Sequence, residues 1–300
     1  MLFKIYDDKT KEENMKKIHG ILYIVLSAIA FGIMPILAKL AYSGGANVQT
    51  TLFLRFSFAT LMLFCYIKSK NISLKLGKKQ YALLIFLGVA GYSLTSMMLF
   101  LSYNYISVGM ATMIIHSYPA IVTFLSFVFY GEKLSLKKIL CLILCILGIF
   151  IMVDLGVADY DIKGILLALI SAIGYSFYVL GASHKYIKST NNYVITFYIS
   201  LVSAISILAI GLPTQTINLN IKFYSLVAIL LLAFISTVIA LMAFLQGVKI
   251  IGPSNASIFG TLEPIVTLVL GILILGEGVQ FKTILGSILI IISMIILAKE

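Results

Sequence analysis

Apolar residues in this chain are gathered into unbroken runs, and short polar stretches holding lysine, glycine and asparagine divide one run from the next. The first five runs lie near Ile18–Leu40, Val48–Ile67, Tyr81–Tyr103, Val108–Tyr130 and Leu136–Val153. The second five lie near Ile162–Ser183, Tyr193–Leu212, Phe223–Val248, Ser254–Leu275 and Phe281–Ala298. Each is close to the roughly 20 residues that carry an α-helix across the hydrocarbon core of a bilayer. In lipid every backbone N–H and C=O must find an internal partner, so only helices and closed barrels span it, and barrel strands would alternate apolar with polar residues. The pattern predicts an all-α integral membrane protein with ten transmembrane helices.

Composition points the same way, since 61% of the 300 residues are hydrophobic, 11% are charged and the mean hydropathy is +1.10. No soluble core could hide that much apolar surface. The net charge of +11 does not indicate nucleic acid, because the lysines sit in short loops beside apolar spans instead of forming an aromatic-studded basic face. With the amino terminus in the cytoplasm and the spans alternating, only Lys39, Lys163, Lys222 and Lys282 fall outside, and this asymmetry places both termini in the cytoplasm. Cys65, Cys141 and Cys145 all lie inside apolar runs and read as packing residues. The first apolar run outlasts the ~7–15 residues of a signal core, so it is read as an uncleaved helix.

Parts of the first half recur in the second. Ile18, Gly20, Ile21, Leu22, Ser27, Ala28 and Ile29 match Ile162, Gly164, Ile165, Leu166, Ser171, Ala172 and Ile173 at one constant offset. Ala111, Pro119, Gly131, Glu132 and Lys137 match Ala256, Pro264, Gly276, Glu277 and Lys282, again at one offset. Because each half holds an odd number of spans, the second copy enters the membrane from the opposite side. The expected organisation is a cytoplasmic segment 1–17, a first five-helix repeat 18–153, an external linker 154–161 and an inverted five-helix repeat 162–300. In transporters such halves rock about a central site; a duplicated bundle with a purely structural role is the alternative.

Thr112, His116, Pro119, Thr123 and Ser126 share one face of the fourth span, and Ser257, Thr261, Pro264 and Gly271 the matching face of the ninth. Small and hydroxylated stripes serve either close helix packing or a cavity lining. Pro119 and Pro264, near mid-membrane, each withhold a backbone donor, which frees a carbonyl for a ligand, hinges the helix or simply kinks it. Ionisable groups at such depth cost roughly 2.5–3.5 kcal/mol on insertion scales. Glu263 should face the bundle interior, to pair with a cation, carry a proton or accept structural hydrogen bonds. His116 reads as a substrate ligand or proton shuttle, or else as a hydrogen-bonded packing residue. Arg55 reads as a structural or orienting residue that snorkels outward, at a depth different from that of Glu263. Phe31 and Tyr175 hold equivalent places in the duplicated helices and, with Tyr92 and Tyr178, read as cavity walls or as packing aromatics. The candidate substrate-binding set is therefore Phe31, Tyr92, His116, Tyr175, Tyr178 and Glu263, with Pro119 and Pro264 as hinge or packing residues. No Walker loop, zinc-protease helix, nucleophile elbow or dinucleotide fingerprint is present, so neither an enzyme, a metal site nor a cofactor is expected.

Several of these residues form ordered motifs: Phe31–Gly32 with Pro35 and Lys39, Arg55–Phe56, Pro119 followed by Gly131–Glu132 and Leu134, and Leu262–Glu263–Pro264 followed by Gly276–Glu277. In their order, spacing and duplication the chain resembles the EamA group of the drug/metabolite transporter superfamily over nearly its whole length. The resemblance implies two inverted five-helix repeats around a central cavity lined mainly by spans one, three, four, six, eight and nine. It also implies export of amino acids and related metabolites. Phe31 stands where a tryptophan commonly precedes the glycine that matches Gly32. The expectation is a secondary transporter of a small organic metabolite in the plasma membrane, working by alternating access. Its expected partners are that substrate and membrane lipid, with a homodimer left open and nucleic acid not expected. The competing expectation is a non-transporting membrane scaffold or regulatory partner.

Overall fold

The structure, a computed structural model, describes the backbone of residues 2–130, 135–152, 161–182, 184, 186, 190–260, 262–278 and 280–298. Side chains are described except at 2–14, 126, 129–130, 152, 182, 245, 248–249, 252–258, 294 and 297–298. Among these residues the chain forms helices and no strand. The first half contains α1 (Leu2–Gly32), α2 (Met34–Ser43), α3 (Val48–Ser69), α4 (Lys78–Phe86), α5 (Leu94–Ser102), α6 (Val108–Ile115), α7 (Tyr118–Tyr130) and α8 (Leu136–Met152). The second contains α9 (Ile162–Ala182), α10 (Asn192–Gly211), α11 (Phe223–Ala233), α12 (Ala240–Gly260), α13 (Leu262–Leu275) and α14 (Phe281–Ala298). A π-helical turn at Leu87–Ser93 joins α4 to α5, and another at Phe234–Ile239 joins α11 to α12.

Seven of the described helical stretches are long and apolar enough to cross a membrane, and α13 and part of α14 are shorter apolar helices. Side chains such as Ile146 and Phe150, 65% and 69% exposed, would be costly against water and are at home against lipid. The chain is a multi-pass membrane protein.

Three departures from the predicted spans have local causes. The first and fourth spans are each two helices, divided at Ile33 and at His116–Ser117. Pro35 lies at the start of α2, Pro119 is the second residue of α7 and Pro264 the third of α13. First-turn N–H groups have no intrahelical acceptor, so proline costs no hydrogen bond there; the prolines begin helices instead of kinking them at their middles. The connection predicted between Val248 and Ser254 is carried within α12, where Ile251 packs against Ile24 of α1 and so continues the helix contact past Lys249. The linker 154–160 and the Gly131–Glu132 motif lie outside the described residues.

Lipid gives packed helices no hydrophobic drive, so association rests on van der Waals fit and hydrogen bonds between helices. The largest contacts cross from one half to the other: α1 with α12, α5 with α9, α3 with α10 and α8 with α14. Ser27 Oγ of α1 donates to the Ala240 carbonyl at 2.9 Å, and Ser171 Oγ of α9 donates to the Thr95 carbonyl at 2.9 Å. These are two of the serines matched in the sequence repeat. Asn47 and Asn191, at the same offset, cap α3 and α10 by accepting from Thr50 N and Tyr193 N.

Candidate functional site

A cavity of about 100 Å³ lies beside the breaks in the first and fourth spans and the first turn of α13. Phe31 and Met34 line it from α1 and α2, Tyr92 from the first π turn, Thr95, Ser96 and Phe100 from α5, and Thr112 and His116 from α6 and its end. Tyr118, Tyr175, Phe244 and Glu263 complete it from α7, α9, α12 and α13. These are the spans that the family resemblance implies, with one addition: Arg55 of α3 also reaches the lining.

One wall is a chain of rings. Tyr92 contacts Phe56 and Tyr178, each with centroids 5.6 Å apart; Tyr178 stacks on Tyr175 at 5.7 Å; and Tyr175 meets Tyr118 edge-on at 4.7 Å. Aromatic contacts of this kind fix ring orientation at little entropic cost. Five of the six sequence candidates, Phe31, Tyr92, His116, Tyr175 and Glu263, line the same cavity. Tyr178 is not among the lining residues and supports Tyr92 and Tyr175 instead. Thr123, on the predicted polar face, donates to the Pro119 carbonyl of its own helix at 2.9 Å. Thr261 lies outside the described residues, as do the side chains of Ser126 and Ser257.

The break after α6 turns His116 toward α13. Its Nδ1 lies 2.7 Å from the Thr112 carbonyl, and since a carbonyl only accepts, Nδ1 carries a proton. Nε2 faces Glu263 Oε2 at 3.6 Å. A neutral ring beside the carboxylate leaves the pair a net negative charge that suits a cationic group, and one further proton shared across the gap makes it net neutral and suits a neutral polar group. Close approach of α13 to α1 makes this meeting feasible. A Cβ on Gly32 would fall 2.6 Å from Val266 Cγ1, so only glycine admits the contact, and Thr267 Oγ1 donates to the Gly32 carbonyl at 3.1 Å.

The Gly276–Glu277 motif lies away from the cavity and holds α6 in place. Gly276, at φ +65°, ends α13 in the left-handed region, and Glu277 N donates back to the Gly271 carbonyl at 3.1 Å. The turn sends the Glu277 carboxylate to the first residues of α6, where it accepts from Val108 N at 2.9 Å and Gly109 N at 3.5 Å. Oε2, the oxygen that accepts from Gly109 N, also occupies the space that a side chain at Gly271 would fill, 2.7 Å from that position's Cβ. A carboxylate at a helix N-terminus satisfies orphan donors and complements the dipole.

Arg55 requires a correction, because the sequence reading has it snorkelling outward. It is 1% exposed, and Nε donates to Thr237 Oγ1 at 2.9 Å, in the second π turn. Sequence reasoning also passed over Tyr118, Phe100, Thr95 and Ser96. Only Tyr118, wedged between His116 and Pro119, had a local signal for its place. Among the described residues no group of histidines, cysteines or carboxylates could hold a metal ion.

The EamA-like transporter family matches residues 18–154 and, a second time, residues 162–299. Relatives include an uncharacterized transporter of Archaeoglobus fulgidus, 27% identical over 82% of this chain and 87% of its own length. An uncharacterized transporter of Clostridium kluyveri is 25% identical over 94% of this chain and 93% of its own length. One solved crystal structure shares the fold at a TM-score of 0.65 and 13% identity, covering 92% of this chain and 95% of that one.

Proposed function

The chain belongs to the EamA-like transporter family, and from that premise we propose that it is a secondary transporter of a small organic metabolite, an amino acid or related compound. The direction is outward across the plasma membrane, by alternating access, through ten spans arranged as two inverted five-helix repeats with both termini in the cytoplasm. The observation that carries the reading is a small cavity walled by both halves, with a polar pair at one side and aromatic faces around it. Such a cavity suits a compact polar solute, and a site walled by both halves can be exposed to either side as they rock. The matched serine bonds, the matched asparagine caps and a π turn in each half support the duplicated arrangement. π turns often mark functional sites within helices, and here each joins two helices beside the contact between halves. In this reading Phe31, Tyr92 and Tyr175 enclose the solute, His116 and Glu263 orient it, and Pro119 and Pro264, each in the first turn of a helix, hinge their spans.

The test is flux in proteoliposomes loaded with labelled amino acids, amines, nucleobases or sugars. Saturable flux that falls in Glu263→Gln at equal reconstituted protein supports the reading. No flux for any class, with Glu263→Gln altering only expression, rejects it. Topology is tested separately by labelling single cysteines placed at Lys75 and Lys222, which should react from opposite sides of the bilayer.

A further inference from the structure

We propose that Arg55 anchors the carboxylate of the carried solute, so that the substrate class is small carboxylic acids, amino acids among them. The inference rests on the transport reading for what the bound solute does, whereas binding itself can be measured without flux.

Arg55 is the single arginine among 300 residues, and it is buried among the helices. A guanidinium carries five N–H donors and no acceptor. Nε is taken by Thr237 Oγ1 at 2.9 Å and one Nη2 proton by the Ser236 carbonyl at 3.5 Å, and among the described residues no carboxylate pairs with the group. Phe56 and Phe100 present ring faces 5.3 and 5.4 Å from its Cζ, which supports the positive charge without neutralising it. Glu263, the carboxylate of the same cavity, is held by His116 and not by Arg55. Proteins retain buried charges when these are paired, and an unpaired guanidinium in lipid is among the costlier groups to hold. The missing partner must therefore enter with the solute.

Geometry favours a carboxylate. Arg55 is one of the residues lining the cavity, and a guanidinium is a planar fork that matches two coplanar oxygens. Thr112 lines the same space, and its buried hydroxyl supplies a further hydrogen-bonding group there. The fold does not demand a cation at this place, because the equivalent stretch of the second half carries Ile199 and Ser200. Phosphate fits less well, since a dianion would face one positive charge with the Glu263 carboxylate on the same cavity wall.

Purified full-length protein in detergent is titrated, by thermal shift and calorimetry, with matched acid and amide pairs: propionate and propionamide, alanine and alaninamide, leucine and leucinamide. Inorganic phosphate is titrated alongside. At least one acid should bind about tenfold or more tightly than its amide. Arg55→Gln should erase that preference, and Arg55→Lys should keep a weakened one. Should the Arg55 variants fail to fold, the acid-to-amide ratio of the unaltered chain still decides. Thr237→Val, which removes the partner of Nε, should weaken the acid and leave the amide unchanged. Equal affinity for acid and amide, no response to any acid, or tighter binding of phosphate overturns the proposal. Acid-selective binding without flux of the same acids would retain the Arg55 site and reject transport. Flux unchanged in Arg55→Gln would do the reverse.

Discussion

The His116–Glu263 pair offers the sharpest test of the site, because its contribution can be separated from that of either residue alone. Glu263→Gln removes the charge and keeps the shape; His116→Phe keeps a ring and removes both nitrogens. The Thr112 carbonyl is not orphaned by the second change, since it also accepts from His116 N at 3.3 Å. At 3.6 Å two unit charges attract by about 1 kcal/mol in bulk water and about 4–5 kcal/mol at an effective dielectric near 20. The His116 side chain is 8% exposed and that of Glu263 21%, which places the pair between those limits, with a coupling of about 2 kcal/mol. Equilibrium unfolding by SDS in mixed micelles of the parent, both single variants and the double variant measures it. The double variant should lose about 2 kcal/mol less than the two single losses added together. Additivity within about 0.5 kcal/mol would mean that the two side chains do not interact, and the site as described would be wrong.

Three further outcomes follow from packing. Gly32→Ala puts a methyl 2.6 Å from Val266 Cγ1 and should destabilise by about 1–3 kcal/mol in the same unfolding assay, with Val266→Ala restoring most of the loss. Ser27→Ala and Ser171→Ala each delete one bond between helices at equivalent places and should cost about 0.5–1.5 kcal/mol apiece, equal within error if the halves are built alike. Glu277→Gln should cost about 1–2 kcal/mol by weakening the cap of α6, and hydrogen exchange should rise first at Val108 and Gly109.

Local chemistry made much of this protein legible. Helical spans follow from the rule that lipid leaves no backbone group unpaired, and apolar run length reports them directly. Duplication was readable from Ser27 and Ser171, and the structure gives those serines matching bonds. An ionisable residue inside an apolar run has few places to go, which is why Glu263 and His116 could be chosen and do meet in one cavity. The motif glycines were visible, but not their work: Gly32 is explained by the nearness of Val266, and Gly276 by the return of Glu277 to α6, contacts between segments far apart in sequence.

Arg55 marks the boundary most clearly. Its sequence neighbours give its depth along a helix but not the rotation of that helix against others, so outward snorkelling and burial against Thr237 are equally compatible with Leu54–Arg55–Phe56. The same holds for Tyr178, whose residue type suits a cavity wall and whose position lies behind one. Hydrophobic run length is a property of one segment in contact with lipid, and the sequence alone determines it. Which side chain faces the common cavity depends on how the segments rotate and pack against one another, and only the tertiary structure decides that.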